Sequence, residues 1–86
     1  MFIHLGGDVT IAANAVIAII DVKHTQNDAT QEFLNHMKTT GKLYRIEEKD
    51  SKSYVITDDC VYISPISATT LKKRAISVDV IHSLVP

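Results

Sequence analysis

Four histidines, two adjacent carboxylate pairs, one cysteine and nine lysine or arginine side chains are the groups in this 86-residue chain whose types suit chemistry. His4, His24, His36 and His82 stand far apart, and none falls in an HxxxH or HExxH spacing, so the pattern that converges histidines on one metal ion is missing. His4 and Asp8, across Gly6-Gly7, read as a strand histidine hydrogen-bonded to a turn carboxylate, and His36 reads as a solvated helix residue. Glu47-Glu48 and Asp58-Asp59 would serve acid–base catalysis only with one member buried and its pKa displaced. Both pairs lie in turn-forming stretches, so solvation is the expectation. Cys60 has no second cysteine to bond and no CxxC or histidine-rich context, which fits a reducing compartment and a structural, half-buried strand thiol. No GxGxxG, Walker loop or GxSxG occurs. The expectation is a protein with no cofactor, no metal and no enzymatic activity. What remains is cationic: Lys42, Arg45, Lys49 and Lys52 in the middle of the chain, and Lys72, Lys73 and Arg74 nearer its end. Such groups hold phosphate by neutralising it and releasing its counterions. A net charge of −1 gives no general basic excess. In a closed oligomer, however, a modest patch repeats around the assembly and becomes a continuous ring.

The elements that must position these cations are legible from residue patterns. Lys52 to Arg74 reads as strand, tight turn, strand and short basic helix: Tyr54-Val55-Ile56-Thr57 and Val61-Tyr62-Ile63-Ser64 are β-branched and aromatic, and Asp58-Asp59 between them suits a turn. Pro65 then stops ladder donation, Ser67 offers a hydroxyl to free amides, and Ala68 to Arg74 makes about two helical turns ending in cations that the helix dipole favours. Upstream, Met1 to Leu5 and Val9-Thr10-Ile11 form a hairpin around Gly6-Gly7-Asp8. Val16 to Ile20 has no polar alternation, which predicts burial on both faces, within the domain or by a neighbouring subunit. Asn27 caps a helix from Asp28 to about Thr40, with Gly41 as its stop and Ala29, Phe33, Leu34 and Met37 as its apolar stripe. Leu43 to Ile46 reads as a further strand, followed by a charged turn from Glu47 to Ser51. The tail 76–86, with Ile76, Val78 and Val80 alternating, reads as an edge strand or subunit contact. The longest apolar run, Ala12 to Ile20, falls short of the roughly 20 residues of a membrane span, and the N-terminus lacks a basic signal-peptide region, so a soluble cytoplasmic protein is expected.

The order of residues also resembles a known family. Phe2-Ile3-His4-Leu5-Gly6, the apolar strand Val16 to Ile20, a helix containing Glu32-Phe33-Leu34, and VITDDCVYISPISATTLKKRA from Val55 to Ala75 are similar to the RemA/RemB extracellular-matrix regulators of Gram-positive bacteria, the RemB branch above all. The resemblance runs from Met1 to about Ala75. It implies a cytoplasmic, ring-forming regulator of matrix and biofilm genes. In the RemA branch it further implies DNA contact through arginines, one just before the buried strand and a cluster in the turn preceding the second hairpin. On the VITD segment these positions fall at Ala15 and at Lys49, Asp50 and Lys52, so this chain keeps two cations as lysine, reverses one to aspartate and loses one to alanine. Lysine lacks the bidentate fork of arginine, so DNA affinity should be weakened or routed through Lys72, Lys73 and Arg74. The competing reading of that run is a solvated helix end.

These readings combine into an α+β fold: one domain over residues 1–75, a small antiparallel sheet of about five to six strands with one main helix and a short basic helix, and an extension over 76–86. The expected partner is the chain itself, in a closed homo-oligomer with Val16, Ile17 and Ile19 in the interface. The expected activity is transcription regulation by lysine–phosphate contacts with DNA. The alternative is a protein-interaction scaffold of the same oligomeric fold that has lost DNA binding and acts through mixed assembly with a paralogue or through its apolar tail, which the Ala15 and Asp50 departures favour.

Overall fold

The structure, a computed structural model, describes residues 1–75, and the strand or contact expected over 76–86 lies outside the described residues. Strands β1 (Phe2–Gly6) and β2 (Val9–Ala12) form the expected antiparallel hairpin, with Ile3 opposite Ile11 and His4 opposite Thr10. A 3-10 turn (Ala13–Ala15) leads into β3 (Val16–Asp21), and a second one (Val22–His24) leads towards helix α1 (Asp28–Thr39). Then follow β4 (Leu43–Arg45), β5 (Ser53–Thr57), β6 (Val61–Ser64) and a second helix, α2, over residues 68–75.

The larger sheet has the order β3-β5-β6-β4. Its β3–β5 and β5–β6 pairs are antiparallel, but β4 lies parallel to β6, so the sheet is mixed rather than wholly antiparallel. The reason is the connection: loop 46–52 is long enough to carry the chain across the gap of about 10 Å that one inserted strand requires, and β6 folds back into that gap.

Paired residues share a face of a sheet. Val61, Ile56 and Leu43 face α1, whose Leu34 and Met37 complete one core cluster with Tyr54. Val55, on the opposite face, packs with Ile3 and Leu5 of the hairpin and Leu71 of α2. The sheet is thus covered on both sides, which is how so short a chain builds a core at all.

Three expectations change in detail. Of the α1 stripe, Leu34 and Met37 are buried while Ala29 and Phe33 are exposed, because successive helical residues lie about 100° apart and only the Leu34–Met37 edge faces the sheet. In β3, Val16 and Ile19 pack against the hairpin-side core, but Ile17, at a register irregularity between Val16 and Ala18, is 62% exposed. Among the described residues β3 is an edge strand of the larger sheet, and its Ile17 side chain lies outside the core. The His4 ring Nε2 meets the Gly7 carbonyl at 2.9 Å rather than the Asp8 carboxylate, because the tight turn brings the backbone back first.

Candidate nucleic-acid interface

Lys49 sits in the loop between β4 and β5, and Lys52 immediately precedes β5; both are exposed. Two backbone bonds fix Lys52 in place: its amide donates to the Ser64 carbonyl at 2.9 Å, and its carbonyl accepts from the Val22 amide at 3.2 Å. The second of these brings Lys23, also exposed, to the same end of the sheet. Sequence reasoning missed Lys23, since only the β3–β5 register makes it a neighbour of Lys52. Arg45 leans into the same loop, its Nη1 donating to Ser51 Oγ at 2.6 Å.

Ala15 lies elsewhere. It ends the 3-10 turn before β3, at the end where Val16 pairs with Thr57, whereas Asp21 pairs with Ser53 at the Lys52 end. Six residues of strand place the two ends roughly 20 Å apart. The single chain therefore does not bring position 15 together with Lys49, Asp50 and Lys52.

The Lys72-Lys73-Arg74 run belongs to α2, whose start is anchored next to β5. Ser53 Oγ donates to the Ile66 carbonyl at 2.8 Å, and Ser67 Oγ accepts from the Thr70 amide at 3.2 Å as the expected cap. The three cations are not equivalent. Arg74 Nη1 donates to the His4 carbonyl at 2.9 Å, tying α2 to β1, while Lys72 is exposed. Val16 and Ile19, expected from the sequence in an oligomer interface, pack against the chain's own core, and Ile17 stays outside it.

Among the described residues no group of three or more His, Cys, Asp or Glu side chains is arranged to hold a metal ion, and no helix is long and apolar enough to cross a membrane. Cys60 is buried in the β5–β6 turn, where its amide donates to Thr57 Oγ1 at 3.1 Å and its carbonyl accepts from the same hydroxyl at 2.9 Å.

The frame that carries these cations, from β1 through α2, is one that other proteins share. The sequence model of the RemA-like family, described as Extracellular matrix regulatory protein A-like, matches residues 2–75. The chain belongs to the RemA-like family. It is 37% identical over 75 residues to Extracellular matrix regulatory protein B of Bacillus subtilis (strain 168), covering 87% of this chain and 90% of that protein. Within this RemA-like frame the family match runs to Ala75, so the cations of α2 fall inside the shared region.

Proposed function

We propose that this RemA-like chain is a non-enzymatic regulator of extracellular matrix gene expression that assembles into a closed homo-oligomer and holds DNA through lysine–phosphate contacts. The observation that carries the reading is the family match over residues 2–75 together with the exposure of Lys23, Lys49 and Lys52 at one end of the sheet. Oligomerisation is supported by β3, which among the described residues is an edge strand, with backbone groups and the Ile17 side chain available to a second copy. A neighbouring copy is also what would bring position 15 of one subunit towards the loop cluster of the next. Contact is electrostatic and positions the nucleic acid, with little reading of bases.

A scaffold reading is favoured by two residues, Asp50 and Ala15, which stand where the resemblance implies cations. A DNA titration at two salt concentrations, with oligomer mass measured in parallel, separates the two. Under the DNA-binding reading, affinity appears only in the assembled state and falls steeply with salt, each neutralised phosphate adding about 0.9 to the log–log slope. Lys49→Ala with Lys52→Ala flattens that slope at unchanged mass and melting temperature, and Asp50→Arg strengthens binding. If the wild-type chain does not bind at about 50 mM salt and Asp50→Arg gains nothing, the scaffold reading stands instead.

A further inference from the structure

Beside α1, on the sheet face away from the hairpin, a cleft of about 290 Å³ opens between the helix and β4. Its floor is apolar, from Leu34 and Ile63, which are 7% and 4% exposed. Its rim is polar and cationic: Lys38 and Asn35 from α1, Arg45 from β4, Tyr54 from β5. Among the described residues no aspartate or glutamate lines it. Among the described residues neither cation is paired with a carboxylate, and the guanidinium of Arg45 is steadied by Ser51, which occupies one donor and leaves the others unused.

We propose that this cleft binds a small organic phosphate monoester of nucleoside-monophosphate size or less, with Lys38 and Arg45 on the phosphate and the Leu34–Ile63 floor beneath the body. Two cations without an acid between them select an anion, and the guanidinium fork suits phosphate oxygens better than a single charge would. The apolar floor with an amide and a phenol at its edge distinguishes an organic ester from a bare ion, because a free ion gains nothing from Leu34 and Ile63. The volume lies at the small end of ligand clefts, which excludes a large ligand. Lys38 and Asn35 belong to α1, apart from the loop that carries Lys49 and Lys52, whereas Arg45 is tied to that loop through Ser51 and is the one side chain that the cleft and the proposed DNA contact share.

The test is an amide-resolved NMR titration of the whole chain with adenosine monophosphate, and in separate arms with inorganic phosphate and with adenosine. The monophosphate is expected to shift the amides of Asn35, Arg45 and Tyr54 saturably, with Kd in the millimolar range or below and at least about tenfold tighter than either arm alone. Lys38→Ala, an exposed helical change that preserves melting temperature, should weaken binding by about tenfold, as should Arg45→Ala, while Arg45→Lys retains part of it. The proposal is overturned if no saturation appears by about 10 mM, if adenosine or inorganic phosphate binds as well as the ester, or if the shifts centre on Lys49, Lys52 or α2. A reduced DNA salt slope in Lys38→Ala would also overturn it, by making the cleft part of a nucleic-acid path.

Discussion

Gly6 and Gly41 both have positive φ, at 114° and 73°, yet they differ in what surrounds them. A Cβ at Gly6 would stand 2.7 Å from Pro65 Cγ and 2.9 Å from its Cδ, a collision between β1 and the β6–α2 connection that neither can relieve by a rotamer change. A Cβ at Gly41 meets nothing within 4 Å. Gly41→Ala should therefore cost only the backbone term, about 1 kcal/mol, and Gly6→Ala about 3 kcal/mol or more, read from urea denaturation midpoints. The same scale governs the pair Cys60 and Tyr62. A hydrogen-bonding contact with the Cys60 side chain, and then burial, push the Tyr62 phenol above its ordinary value of 10.0. A raised pKa means that the folded state favours the neutral phenol, so this contribution is fully present below pH about 10 and is lost as pH rises through the higher folded value. Cys60→Ala should bring the Tyr62 ionisation back towards its ordinary value in an absorbance titration and leave the mass in solution unchanged. A mass change would give Cys60 a role in assembly instead.

At the scale of elements, α2 is held by two different kinds of attachment. Leu71 is fully buried in the core cluster with Ile3, Leu5 and Val55, and Arg74 adds a hydrogen bond to the His4 carbonyl. Lys72 is exposed and is not among the residues that pack against this cluster. Arg74→Ala is thus expected to lower stability modestly, by about 0.5–1.5 kcal/mol, and Lys72→Ala to leave it within about 0.5 kcal/mol. Thermal melts of the two variants check this. If DNA binding uses α2, Lys72→Ala will reduce the salt slope without moving the melt, which separates a contact with phosphate from a contact with β1. The hydroxyls of Ser64 and Ser53 serve the same joint: fully buried, they donate to the Leu5 and Ile66 carbonyls and so tie the sheet to the hairpin and to the approach of α2.

For the whole molecule, the question is what covers β3. Ile17 and Ile19 are two residues apart on an apolar strand, but Ile19 packs against the core and Ile17 does not. Ile19→Asp should destabilise the chain, since it sets an unpaired carboxylate in a half-buried position packed against the core. If the chain assembles along β3 as proposed, Ile17→Asp should keep its circular dichroism and lose assembly, giving a monomer by light scattering. An Ile17→Asp variant with wild-type mass would show that subunits do not meet along β3. The exposed Met1 and Phe2 at the start of β1 offer a second apolar area, so the mass of Phe2→Asp tells whether the interface extends to the hairpin.

Local structure was written plainly in the sequence because each signal is satisfied within a few residues of itself. Asn27 caps α1 by accepting from the Thr30 amide at 2.8 Å, Ser67 caps α2, the glycines turn the first hairpin, and Asp58-Asp59 turn the second. The family resemblance was equally legible, since it rests on residue order alone. Tertiary structure decided what depends on strand order and on distance. It made β4 parallel to β6, put Lys23 beside Lys52, separated Ala15 from the loop cluster by the length of β3, and joined Arg74 to β1. It also divided an unbroken apolar run into core residues and one exposed isoleucine, because hydrophobicity along a strand records that burial is needed, whereas which neighbour supplies it is fixed only when the sheet is assembled and its edge defined.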